Sequence, residues 1–200
     1  MWRSLWKDAH NDWRQCCLYP STFFLVTGVN ESLGVDGRSH VSNDATLAAL
    51  TDATWIAEGQ GRCIVYVFFD PNCPSCQLLY KNLRTFIGSH SLQLRWIPVA
   101  IVNVTSLGKA TAILQATDPL AALRLNEEEH YHGESYSGGI EEEIPSNETE
   151  RKLRANERLL NRLDIPVVPS MLFADKNGRV VLIQGALSPI ALRKVLDRIR

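Results

Sequence analysis

The sequence predicts an α/β domain built on a mixed sheet, and three features carry that reading. Residues 63–69 (CIVYVFF) are a continuous apolar, β-rich run, the pattern of a strand buried on both faces of a parallel or mixed sheet. A helical repeat and a second strand-like run follow directly, which makes a strand–helix–strand unit with parallel strands. Near the C-terminus two short β-rich runs flank Asp175-Lys176-Asn177-Gly178, whose Asn-Gly step is a strong short-range signal for an antiparallel hairpin. A chain of 200 residues, 45% hydrophobic and 22% charged, suffices for one main core with at most a small appendage.

From the N-terminus, residues 22–29 (TFFLVTGV) are rich in β-branched and aromatic side chains, and Gly34-Val35-Asp36-Gly37 supplies turn chemistry, so a strand and hairpin are expected there. Ser42, Asn43 and Asp44 offer caps for a helix whose Leu47, Leu50, Trp55 and Ile56 share one apolar face and which Gly59 and Gly61 end. Beyond the strand at 63–69, Leu78, Leu79, Leu83, Phe86 and Ile87 recur at helical spacing up to Gly88. Residues 92–102 (LQLRWIPVAIV) predict the second core strand, with Pro98 marking a bend or an edge position. Residues 107–125 read as one or two alanine-rich helices broken near Asp118-Pro119.

Residues 126–150 are acidic, rich in Gly and Ser and without apolar periodicity, which predicts a solvated loop. A helix over residues 147–163, with Leu153, Leu159, Leu160 and Leu163 inward, leads to Ile165-Pro166-Val167-Val168-Pro169. After the hairpin, Ser188 and Pro189 open a last helix with Ile190, Leu192, Val195, Leu196 and Ile199 as its apolar positions. The order strand, helix, strand, helices, strand, strand, helix is that of the thioredoxin fold. Here it carries a helical insertion at about residues 106–164, between the second core strand and the proline-led hairpin. The implied division is a short N-terminal segment and linker helix over residues 1–60 and a thioredoxin-like domain over residues 61–200.

Composition narrows the function. A formal net charge of -1 provides no basic field for a phosphate backbone, which argues against nucleic-acid binding. No run approaches the roughly 20 apolar residues of a membrane-spanning helix. The first 15 residues mix Arg and Lys with Asp and Trp, and Pro20, Ser21 and Thr22 break the apolar stretch that follows, which disfavours an export signal. The five cysteines (16, 17, 63, 73 and 76) are too few for a disulfide scaffold, and only one Cys-x-x-Cys is present, so no second pair completes a structural zinc site.

That pair is Cys73-Pro74-Ser75-Cys76, set between the buried strand and the helix after it. A cysteine at a helix start can present its sulfur to unpaired backbone N–H groups and to the positive end of the helix dipole, both of which favour the thiolate. This makes Cys73 the nucleophile. Cys76, one turn on and more shielded, is placed to resolve a mixed disulfide, and Pro74 suits the first helical position. Taken alone, the motif also admits a buried pair of thiols or half a zinc site. The strand before it, the helix after it and the late proline hairpin agree on redox chemistry.

VYVFFDPNCPSCQLLYKNLRTFI resembles the active-site segment of the DsbC and DsbG branch of periplasmic thiol-disulfide isomerases. LRWIPVAIVNVTSLGKATAIL and NERLLNRLDIPVVPSMLFADKNGRVVLIQGALSPIALRKVL are similar to DsbG-type segments that follow. The resemblance covers about residues 50–200. It implies that Val168 and a cis Pro169 face Cys73, that Pro74, Ser75, Val168 and Pro169 contact substrate, and that Pro166 only stiffens the loop. It further implies periplasmic protein substrates carrying disulfides or sulfenylated cysteines, a DsbD-type reductant, and no cofactor or metal. Ser75 replaces the larger Tyr or His common in the family. Only about residues 22–60 correspond to the tail of the family's longer dimerising front end, so the resemblance gives little support for a homodimer. Two alternatives stand beside the reductase or isomerase reading: a thiol oxidase donating its disulfide, and a non-catalytic peptide-binding chaperone module.

Other residues carry bland readings. Asp70 is expected to shape the Asp-Pro turn, although its charge opposes a Cys73 thiolate. Glu127, Glu128, Glu129, His130 and His132 read as a solvated stretch rather than a metal site. Cys63 is expected to be a buried strand residue, and Cys16 and Cys17 are given no role.

Overall fold

The alternation along residues 63–69 builds the centre of the molecule. Val65, Val67 and Phe69 point to one face of the sheet and Tyr66 and Phe68 to the other, and each set joins a separate apolar cluster. A strand buried on both sides has to be apolar throughout, as the sequence is. The structure is a computed structural model and describes residues 43–88, 90–128, 130–132 and 136–199. The strand and turn expected at residues 22–37, and Cys16 and Cys17, lie outside the described residues.

In chain order the elements are α1 (Asn43–Asp52), β1 (Ile56–Glu58), β2 (Cys63–Phe69), α2 (Pro74–Arg84), β3 (Leu92–Pro98), α3 (Ser106–Gln115), α4 (Pro119–Glu128), β4 (His130–His132), β5 (Tyr136–Gly138), α5 (Asn147–Arg162), β6 (Ser170–Ala174), β7 (Val180–Gln184) and α6 (Pro189–Leu196). Five strands form one mixed sheet in the order β1-β3-β2-β6-β7, with β2 and β3 parallel and the other pairs antiparallel. Helices α2, α4 and α6 bring Leu79, Leu83, Leu123, Leu192 and Leu196 to the Val65–Val67–Phe69 face, while α1 and α5 bring Leu50, Leu159 and Leu160 to the other. Helices α3, α4 and α5 and the small β4–β5 hairpin lie between β3 and β6 in sequence.

Two expectations change, at the end of the first helix and at the segment from residue 126. The first helix ends at Asp52, and Ile56–Glu58 instead adds an antiparallel edge strand to β3, pairing Ile56 with Trp96. Burial of Ile56 and Glu58, with Trp96 Nε1 donating to Glu58 Oε2 (3.1 Å), outweighs a continued helical face. Pro98 does take a local edge position: it ends β3 opposite Phe69 of β2 but beyond the residues 94–96 that β1 pairs, so its missing N–H faces a side that no described strand covers. The segment from residue 126 is not a solvated loop at its start, since α4 runs on to Glu128 with Asn126 and Glu127 buried, and a hairpin follows. Cys63 is buried as expected, and it is disulfide-bonded.

Helix ends follow local chemistry. Ser146 Oγ accepts from Thr149 N (3.2 Å) to cap α5, and Ser188 Oγ accepts from Ala191 N (3.3 Å) to cap α6 behind Pro189. The β6–β7 hairpin closes over residues 175–179, where Asp175 Oδ1 accepts from the backbone of Asn177 and Arg179 (both 2.9 Å) and Gly178 takes φ 76.

Candidate active site

β2, at the middle of the sheet, runs out into Asp70-Pro71-Asn72 and delivers Cys73 to the start of α2. Cys73 is the N-cap residue of that helix, with φ -94 and ψ 112, and Pro74 occupies the first turn. Its carbonyl accepts from Cys76 N (3.0 Å) and Gln77 N (3.2 Å), and its Sγ also accepts from Cys76 N at 3.2 Å. A sulfur thus sits where helices usually place a Ser or Asp oxygen, and it receives one of the N–H groups the helix cannot satisfy internally. Both thiols are free, Cys73 being 6% and Cys76 1% exposed.

The two thiols are held in opposite states. The Cys76 side chain and N–H bonded to Cys73 hold the Cys73 thiol below its ordinary value, against burial and the charge of Asp70. Burial, then the Cys73 side chain and its charge, push Cys76 well above that value. The expected result with iodoacetamide follows in sign. Cys73 keeps a thiolate population as pH falls below the ordinary thiol range and is modified first at neutral pH, while Cys76 reacts only at strongly alkaline pH. Peptide mapping by mass spectrometry checks this, and equal labelling of the pair at neutral pH would contradict it.

Across from the cysteines, the Val168-Pro169 peptide bond is cis, and Cys73 Sγ in its thiol form donates to Val168 O at 3.6 Å. Pro169 is buried and its carbonyl accepts from Gly185 N (2.8 Å), while Val168 is half-buried. Pro74 and Ser75 are exposed at the rim, as is Pro166, three residues from the cis-proline. The structure therefore brings together Cys73, Cys76 and Val168-Pro169, with Pro74 and Ser75 beside them.

The polar frame around this group was not legible as a site. Asp70, 0% exposed, accepts through Oδ1 from Asn72 N and Ser106 Oγ (both 2.8 Å) and through Oδ2 from Ile101 N (2.7 Å) and Val102 N (2.9 Å). Asn72 Nδ2 donates to Asn103 Oδ1 and Thr105 Oγ1 (both 2.9 Å), and its Oδ1 accepts from Ser137 Oγ and Gly138 N (both 3.3 Å). These two side chains tie the turn before Cys73 to the loop after β3 and to the β4–β5 hairpin. Gly138 packs so closely that a Cβ there would lie 2.4 Å from Pro71 O, so glycine is required. The Asp-Pro-Asn string in the sequence signals a turn, but only the fold reveals its partners.

A family model described as a thioredoxin-like domain matches residues 50–200. A thiol:disulfide interchange protein DsbG from Pseudomonas aeruginosa is 30% identical over 149 residues, covering 74% of this chain and 57% of that protein. A DsbG from Escherichia coli is 29% identical over 129 residues, covering 62% of this chain and 49% of that protein. The chain thus spans about half the length of the curated relatives it matches. Among solved structures, a periplasmic thioredoxin-like protein from Salmonella enterica serovar Typhimurium superposes with a TM-score of 0.61 at 19% identity, covering 76% of this chain and 93% of that one.

Proposed function

The chain belongs to the thioredoxin-like domain family, and on that premise we propose that it is a protein thiol-disulfide oxidoreductase or isomerase working through Cys73 and Cys76. The observation that carries the proposal is the opposed state of two thiols within one helical turn: Cys73 capping α2 and held toward thiolate, Cys76 buried and held protonated. A pair built in this way attacks with one sulfur and keeps the other in reserve.

In the proposed cycle, Cys73 thiolate attacks a substrate disulfide and forms a mixed disulfide, releasing one substrate sulfur. Either Cys76 then displaces the second substrate sulfur, which reduces the substrate, or a substrate thiol does so, which isomerises it. Attack on a sulfenylated cysteine follows the same course with hydroxide as the leaving group. Val168 presents its backbone beside Cys73, where an extended substrate segment can pair as an added strand. Pro169 holds the loop behind it, and Pro74 and Ser75 meet the substrate at the rim.

The catalytic domain of this proposal is residues 61–200, its sheet extended by β1 from the preceding linker. The proposal extends to protein substrates of the bacterial envelope, a periplasmic setting and regeneration by a DsbD-type reductant, and the similarity to two thiol:disulfide interchange proteins named DsbG supports thiol-disulfide exchange as its chemistry. Among the described residues no helix is long and apolar enough to cross a membrane. The test is turbidimetric reduction of insulin by dithiothreitol. The protein is expected to accelerate precipitation of the insulin B chain, and a rate no faster than the small thiol alone would overturn the reading.

A further inference from the structure

Cys73 N donates to Asp70 O (3.0 Å), so Asp70-Pro71-Asn72-Cys73 forms a single turn between β2 and α2. Asn72 lies past Phe69, the last paired residue of β2, and before the first residue of α2, so neither ladder holds it. Its side chain does. Buried at 1% exposure, Asn72 shares the hydrogens of Nδ2 among Asn103 Oδ1 and Thr105 Oγ1 (both 2.9 Å) and Ser106 Oγ (3.1 Å). Its Oδ1 accepts from Ser137 Oγ and Gly138 N on the other side (both 3.3 Å), and its own N–H donates to Asp70 Oδ1 (2.8 Å). The position asks for a short side chain that donates on one side, accepts on the other and carries no charge. Aspartate would offer acceptors alone and would set a second carboxylate beside Asp70, whose charge already opposes a Cys73 thiolate. Asparagine meets all three conditions.

We infer that Asn72 is a positioning residue for exchange: through its amide, the loop after β3 and the β4–β5 hairpin hold the turn so that the Cys73 sulfur rests on the Cys76 N–H. The inference rests on the exchange reading of the Cys73–Cys76 pair and names a residue that reading did not include. As N-cap of α2, Cys73 takes φ -94 and ψ 112, and that geometry brings its Sγ to 3.2 Å from Cys76 N. Asn72 shares a peptide bond with Cys73. A rotation of the turn at residue 72 therefore swings Cys73 N off Asp70 O and the sulfur off its donor.

The sign follows from which form the N–H favours. A donor aimed at sulfur stabilises the thiolate more than the thiol, so a sulfur that has slipped from Cys76 N is harder to ionise and attacks more slowly wherever thiolate is scarce. The two polar residues of the turn thus act in opposite senses on Cys73. Asp70 opposes the thiolate by its charge, and Asn72 supports it through geometry alone. The ionisable groups whose charge bears on Cys73 are Asp70 in the turn, Cys76 in α2 and Glu127 in α4, and replacing Asn72 removes none of them.

The test follows Cys73 against pH in two ways: ionisation by ultraviolet thiolate absorbance, and attack by the first coloured thiolate released from an aromatic nitrobenzoate disulfide. In Asn72→Ala the first absorbance midpoint is expected to rise by about one pH unit, and attack below the wild-type midpoint to slow about tenfold. The deficit should close at alkaline pH, where the thiol is ionised in either protein. Asn103→Ala, at an exposed position that leaves Thr105 and Ser106 as acceptors, is expected to move the midpoint part of the way. The double variant should move it no further than Asn72→Ala alone. Leu50→Ala, in the apolar cluster on the opposite face of the sheet, lowers stability and is expected to leave both curves in place. A wild-type midpoint in Asn72→Ala overturns the inference, as does an equal shift in Leu50→Ala. If Asn72→Ala does not fold, Asn103→Ala decides alone, and an unmoved midpoint there overturns it. No coloured release from wild-type protein at any pH would instead overturn the exchange reading, an outcome the absorbance curves keep distinct.

Discussion

Cys73→Ser is expected to bring insulin reduction down to the rate of dithiothreitol alone, a loss of roughly 1,000-fold or more in protein-catalysed exchange. A serine hydroxyl at this position keeps the cap, since its oxygen can accept from Cys76 N as the sulfur does. Its pKa lies far above that of a thiol, however, and it forms no stable bond to sulfur. The variant should therefore fold with unchanged thermal stability and fail only in chemistry. Residual catalysis at more than a few per cent of wild type would mean that another thiol attacks.

Asp70→Ala is expected to destabilise the protein by about 3–5 kcal/mol, read as a lower urea midpoint at unchanged slope. The carboxylate accepts from two backbone N–H groups of the loop after β3, from Asn72 N and from Ser106 Oγ, all within 2.9 Å. Alanine leaves Asn72 N without its acceptor and Ser106 Oγ with only its longer bond to Asn103 Oδ1 (3.4 Å). The pair on the exposed residues Ile101 and Val102 turns to water, which holds the total below four full penalties. The same substitution has an opposite effect on the thiol. Asp70 raises Cys73 by its charge, so its removal should favour the thiolate and shift the ultraviolet thiolate absorbance to lower pH. A stability loss without that shift would separate the frame from the electrostatics.

Much of this architecture is written locally. Residues 63–69 read as a doubly buried strand because both faces of β2 are packed, and the helix after Cys73 reads from one apolar stripe. The cysteine pair was legible because strand, motif and helix adjoin in sequence, and Val168-Pro169 was legible through the family resemblance. What escaped depends on contacts between distant segments. Ile56–Glu58 follows a helical pattern until pairing with β3 and burial of Glu58 under Trp96 Nε1 decide otherwise. Asn126 and Glu127 look like the start of an acidic surface stretch, yet they are interior because Pro71 and Gln77, 50 or more residues away, meet them with hydrogen bonds. Asn72 likewise joins three segments through one amide, and no local periodicity marks such a residue.

The central claim is the division of labour between the two thiols, and trapping tests it most directly. Cys76→Ser incubated with a disulfide-bonded peptide, acid-quenched and mapped by mass spectrometry without reductant, is expected to carry the peptide on Cys73, because attack proceeds and resolution by Cys76 is gone. Peptide accumulating on any other cysteine, or no adduct at all from a folded variant, would contradict the account.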